Sequence, residues 1–167
     1  MVVLFLFKFV LPSAKLWRNV IEATSELIDE ANFIAKPDGV SLRSMDPSHV
    51  AMIEVVLPVS FFDEYICDVE VNIGVNLDEL KRLLRRAGAN DRLEMEILDP
   101  SRLTIKFIGR AHRTFNMPLI DISAEDIPAP SLDFNVYARL ISDVLSDAVK
   151  DAAIVSDYVK LLLKMIF

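Results

Sequence analysis

Apolar and polar residues recur with two periods along the first 119 positions, and the switches between them mark the elements. The opening run MVVLFLFKFVLP is a buried strand, followed by Pro12 and Ser13, which start a helix expected to reach about Leu27. At 100° per residue, Leu16, Trp17, Val20, Ile21, Ala23, Thr24 and Leu27 share one face, with Lys15, Arg18, Asn19, Glu22 and Glu26 on the other. Ile28 to Lys36 then reads as a strand, Pro37-Asp38-Gly39 as a turn, and Gly39 to Pro58 as two more strands. Val40 and Leu42 alternate with Ser41 and Arg43. The polar corner Met45-Asp46-Pro47-Ser48-His49 separates this run from an apolar one starting at Val50. Links this short give an antiparallel meander, because parallel neighbours require long crossovers.

Phe61 to Gly74 is less regular. A second helix follows, with Asn76 as its cap, Asp78 and Glu79 in its first turn and Gly88 expected as its left-handed end. Leu77, Leu80, Leu83, Leu84 and Ala87 form its apolar side, and Lys81, Arg82, Arg85 and Arg86 share the other. Arg92 to Leu98 and Arg102 to Ile108 alternate around the turn Asp99-Pro100-Ser101, and Ala111 to Leu119 is a further strand. The pattern gives an α+β domain, with two helices on one face of an antiparallel sheet. Pro118 to Leu132 resists pairing and suits a linker or binding loop. Alternation resumes from Leu132 to Ala138, and a helix is expected from Ser142 to about Ala153.

That last helix echoes the first. At an offset of 129, Leu11 matches Leu140, Ser13 matches Ser142, Leu16 matches Leu145, Val20 matches Val149 and Ala23 matches Ala152. The expected division is therefore a first domain at 1–117, a linker at 118–131 and the start of a second copy at 132–167.

Composition narrows the chemistry. Of 167 residues, 53% are apolar, ample for a core, and the net charge of -7 argues against a chain that coats nucleic acid indiscriminately. One cysteine, Cys67, excludes an intrachain disulfide, and two histidines without a Cys-x-x-Cys leave no zinc motif. Lys8 interrupts the opening apolar run, which lacks a basic lead and a small-residue cleavage site and is too short to span a bilayer; no membrane association is expected. The acids at Asp63, Glu64, Asp68 and Glu70 have no nearby nucleophile or metal ligand. No enzyme, metal or cofactor is expected. On pattern alone the four cations of the second helix are a solvated face, notable for lacking interleaved acids, and the corner at 45–49 is a turn.

Four runs change this reading: LIDEANF (27–33), SMDPSHV (44–50), GVNLDELKRLLRRAG (74–88) and Ile127-Pro128 in the linker. Together they resemble the proliferating cell nuclear antigen family, the archaeal and eukaryotic sliding clamps, over Met1 to about Lys160. The resemblance implies a DNA-clamp (processivity) fold in ring-shaped trimers that encircle duplex DNA without reading its sequence. Such rings tether DNA polymerase, clamp loader, flap nuclease and ligase through docking peptides, in the cytoplasm near the nucleoid, or in the nucleus of a eukaryote. Lys15, Arg18, Lys81, Arg82, Arg85, Arg86 and Lys150 would face the DNA. Met45, His49, Val50 and Met52, with Leu119, Ile120, Ile127 and Pro128, would border the peptide pocket. Arg110, His112, Thr114 and Asn116 would lie on the strand that meets a neighbouring subunit. Against the family pattern the chain holds roughly one and a third copies and looks C-terminally truncated. The alternative is a clamp-like interaction or regulatory protein that binds clamp subunits or client peptides without closing a ring.

Overall fold

The computed structural model describes residues 5–122, 127–128 and 133–162, in two compact units, Met1–Pro128 and Ala129–Phe167. Among its described residues the first unit holds nine strands: β1 (Phe7–Leu11), β2 (Glu30–Lys36), β3 (Gly39–Met45), β4 (Met52–Pro58), β5 (Glu64–Ile66), β6 (Val71–Asn76), β7 (Arg92–Asp99), β8 (Arg102–Ile108) and β9 (His112–Pro118). Helices α1 (Ala14–Thr24) and α2 (Leu77–Leu84) complete it. The α+β reading holds, with the strands divided between two antiparallel sheets where the pattern gave one. Five strands run in the order β5-β1-β7-β8-β9 and four in the order β4-β3-β2-β6.

Trp17 shows how one core serves both sheets. Its ring lies 5.2 Å from Phe9 on β1 and 5.3 Å from Phe33 on β2, so α1 is keyed to a strand from each. Ala14, Trp17, Ile21 and Thr24 are the buried stripe of α1. Leu16 and Ala23, expected on that face, are exposed, and Leu27 lies in the turn beyond the helix, which ends at Thr24 and not near Leu27. Ser13 caps the helix, its Oγ accepting from Lys15 N–H.

β6 is missing from the sequence reading. It pairs with β2 from Glu30↔Asn76 to Ala35↔Val71, burying Ile73 and Val75. α2 follows directly, with Asn76 Oδ1 accepting from Glu79 N–H at 3.0 Å and Leu77, Leu80 and Leu84 inside. Gly88 is not left-handed. Arg86 and Ala87 instead taper the helix with bonds to the carbonyls of Leu83 and Leu84, and Gly88 N–H donates to Asp91 Oδ2 at 2.7 Å. Gly39 does need to be glycine: its φ is 147°, and a Cβ there would meet Leu57 O at 2.2 Å.

The second unit contains α3 (Ser142–Ala153), none of whose residues is buried. The strand expected at 132–138 does not form: Leu132 lies outside the described residues, and Asp133 to Ala138 are exposed and unpaired with any described strand. With no described sheet beside it in this unit, alternation there has no edge to follow. Leu163 to Phe167, the end of the apolar tail, lie outside the described residues.

Candidate functional sites

α1 and α2 lie side by side. Lys81 Nζ reaches across to Ser25 Oγ (2.9 Å), and Arg85 approaches Glu22 Oε1 at 3.5 Å. The stripe therefore does carry acids: Asp78 faces Lys81 at 3.3 Å within α2, and Glu22 arrives from the neighbouring helix, where one-helix periodicity cannot find it. Lys81 is largely covered and stitches the two helices. Arg82 and Lys15 are exposed, Arg18 is half-buried, and none of the three makes an ion pair among the described residues. Arg86 lies beyond α2, whose last residue is Leu84. Its carbonyl accepts from Arg113 Nη1 at 2.6 Å, and Arg113 also pairs with Asp91. The peptide after α2 is thereby tied to β9. Lys150, on α3, faces Asp147 of its own helix at 3.4 Å.

The other candidate lies on the far side of the four-stranded sheet. Inward residues of β2, such as Phe33, pack on the core, so Asn32 and Ile34 face outward, as do Arg43 and Met45 of β3. A groove of about 460 Å³ runs over this face. Met45, His49 and Ile127 line it, together with Asp29, Asn32, Ile34, Arg43, Asp46 and Ile122, which sequence reasoning did not nominate. Val50, which is 85% exposed, Met52 and Pro128 are not among the residues that line it. Leu119 and Ile120 line a separate hollow with Asn72 and Pro100. The family resemblance places these five at the border of the pocket, and the groove itself follows which strand face each residue occupies.

The corner itself is organised by Asp46. Its carboxylate accepts from the backbone N–H groups of Ser48, Val50 (2.8 Å) and Ala51 (2.7 Å) and from the Ser48 hydroxyl. The bond from the Ser48 hydroxyl, ahead of those from Ala51 and the other amides, holds its pKa down at about 2. His49 sits at φ 57°, the left-handed conformation that His tolerates better than bulkier residues.

At the end of the five-stranded sheet β9 has no partner on its outer side among the described residues. Leu119 N–H donates to Ser101 O (2.9 Å), and an unbroken register carries that pair down the hairpin. By this parity Arg113, Phe115 and Met117 bond β8, while His112, Thr114 and Asn116 turn their backbone groups outward. Arg110 lies in the turn ahead of β9, not on the strand.

A two-sheet α+β unit with paired helices on one side, a groove on the other and a strand edge unpaired among the described residues defines the class of clamp-fold domains. Residues 6–126 match the family model "Proliferating cell nuclear antigen, N-terminal domain", and the chain belongs to that family. It is 44% identical over 154 residues to the DNA polymerase sliding clamp of Thermofilum pendens, covering 92% of this chain and 62% of that one. For the DNA polymerase sliding clamp of Pyrococcus abyssi the values are 42% over 158 residues, 95% and 64%. Among solved structures, proliferating cell nuclear antigen from Thermococcus kodakaraensis superposes with a TM-score of 0.84 at 31% identity, covering 90% of this chain and 61% of that one. The Entamoeba histolytica protein gives 0.75 at 25%, covering 78% and 54%. The chain thus spans under two thirds of the length of these relatives. No helix among the described residues is long and apolar enough to cross a membrane.

Proposed function

We propose that this chain acts as a DNA sliding-clamp subunit, with a first clamp domain at 1–117, a linker at 118–131 and the start of a second domain at 132–167. Carrying this reading is its 40% to 44% identity, over 92% to 95% of its residues, to eight relatives that are DNA polymerase sliding clamps. The mechanism is topological and electrostatic, with no chemical step. Lys15, Arg18, Arg82, Arg85, Arg86 and Lys150 offer the phosphates loose contacts that permit sliding, and Lys81, bonded to Ser25, adds its charge from behind them. The groove at Met45, His49 and Ile127 takes apolar and aromatic anchors of docking peptides from polymerase, clamp loader, nuclease or ligase. The outward backbone groups of His112, Thr114 and Asn116 are available for pairing with a neighbouring subunit.

The alternative is a clamp-fold interaction protein that binds clamp subunits or client peptides without closing a ring. Mass in solution separates the two, measured for the chain alone and mixed with other clamp subunits. Ring-sized assemblies are expected. A monomer that joins none at working concentrations overturns the processivity reading.

A further inference from the structure

The segment after β9 is fastened to the outer face of the four-stranded sheet at two points. Ile120 N–H donates to Gly74 O on β6 (2.9 Å), and Arg43 Nη1 on β3 donates to Ile127 O (3.2 Å). One strand, β2, separates β6 from β3, so the two strands that carry the anchors stand roughly 10 Å apart. The first is a backbone fit with no spare room: a Cβ on Gly74 would stand 2.0 Å from Ile120 O. The second depends on a side chain. Arg43 lies directly opposite Glu54 on β4, and its Nε donates to Glu54 Oε1 at 3.0 Å while Nη2 closes the pair. Glu54 thereby occupies one edge of the planar guanidinium and leaves Nη1 aimed at Ile127. A rigid fork can serve two acceptors in this way; a lysine ammonium on a flexible stem holds neither direction.

Ile127 is one wall of the groove that Met45 and His49 also line. With its charge matched by Glu54, Arg43 contributes direction here more than net charge. We propose that Arg43, oriented by Glu54, is a positioning residue that latches the segment after β9 onto β3 and so holds Ile127 in place for peptide docking. The proposal rests on reading the groove as the docking site.

Two readouts on the full chain test it. One is proteinase K cleavage between Asp121 and Pro128. The other is the affinity for a fluorescein-labelled synthetic peptide carrying one aliphatic and two aromatic side chains spaced for a single helical turn. Arg43→Met is expected to speed cleavage several-fold and to weaken binding about 5-fold to 10-fold, the range for a partly exposed charged hydrogen bond. Glu54→Ala should match it, Glu54→Gln, which keeps an acceptor, should stay within about 2-fold of the unaltered chain, and the Arg43→Met/Glu54→Ala pair should be no worse than either alone. Arg43→Lys should restore less than half of the loss. Unchanged cleavage in Arg43→Met, or losses that add in the double variant, overturn the latch. Faster cleavage with unchanged affinity overturns its role in docking while Met45→Glu, which should abolish binding, still validates the groove. An unaltered chain that fails to bind the peptide overturns the docking reading and this proposal with it.

Discussion

α1 and α3 share an amphipathic pattern and a few identities, with opposite fates. α1 buries Ala14, Trp17, Ile21 and Thr24, and α3 buries nothing. The identities that link them at an offset of 129 fall on the wrong side of α1: Leu16 and Ala23 are exposed and Val20 is half-buried. An offset of 128 instead places Trp17, Ile21 and Thr24 opposite Leu145, Val149 and Ala152, and it aligns the first helical residues, Ala14 and Ser142. At that offset the apolar stripe recurs without identities, whereas the identities at 129 lie on the outer face of α1. An amphipathic pattern states which side of a helix can be buried; a sheet beside it decides whether it is.

The sharpest way to break this equivalence is to remove both tryptophan-position side chains in turn. Trp17→Ala should cost about 3–5 kcal/mol, since it takes out the ring lodged between Phe9 and Phe33. Leu145→Ala should cost under about 1 kcal/mol, because that side chain is only half-buried and belongs to no core. Denaturant unfolding followed by circular dichroism checks both, as Trp17 is the sole tryptophan. A large loss from Leu145→Ala would show that α3 packs in solution.

A smaller effect separates the cations of the two helical regions. In any ring that forms on DNA, Arg82→Ala with Arg85→Ala should flatten the slope of log affinity against log salt by about 1 to 2, and Lys150→Ala by about 1 or less. Arg85 counts for less than Arg82 because Glu22 already faces it, so Glu22→Gln should steepen the slope. An unchanged slope in the double variant would make the stripe a solvated face.

Much of the first unit was legible because each element carries local signals. Asn76 and Ser13 announce their helices, and Asp99-Pro100-Ser101 closes the β7–β8 hairpin, with Ser101 N–H donating to Asp99 Oδ1 at 2.8 Å. What stayed hidden arises between elements. β6 reads VNIGVN, a weak strand by pattern, and is fixed by β2 on one side and by Ile120 crossing Gly74 on its outer face. The groove was half legible for the same reason: SMDPSHV marks the corner, but Asn32, Ile34 and Arg43 join it only once β2 and β3 share a register.

The helix starts give a third contrast. Ser13 Oγ caps α1, whereas Ser142 is the first residue of α3, whose cap position, Ile141, has no side-chain bond to offer. Ser13→Ala should cost about 1 kcal/mol by thermal or denaturant unfolding, and Ser142→Ala close to nothing. Equal costs would return the repeat to an offset of 129.

The least costly contrast is in acid, and it concerns the corner of the first unit. Asp46 has a folded pKa of about 2 against an ordinary value of 3.8, so its carboxylate is held in the charged form by the groups that donate to it. A depressed pKa contributes stability that is complete above about pH 4 and is lost as pH falls through about 2. The amide signals of Val50 and Ala51, which donate to that carboxylate, should therefore titrate with a midpoint near 2 while the core signals of Leu103 and Phe107 stay in place. In Asp46→Asn the midpoint should vanish and the corner should lose order at neutral pH, since an amide offers one acceptor oxygen where the carboxylate used two. A midpoint near the ordinary 3.8 would mean that the four donors do not converge on Asp46, and the left-handed turn at His49 would then lack the contacts that hold it.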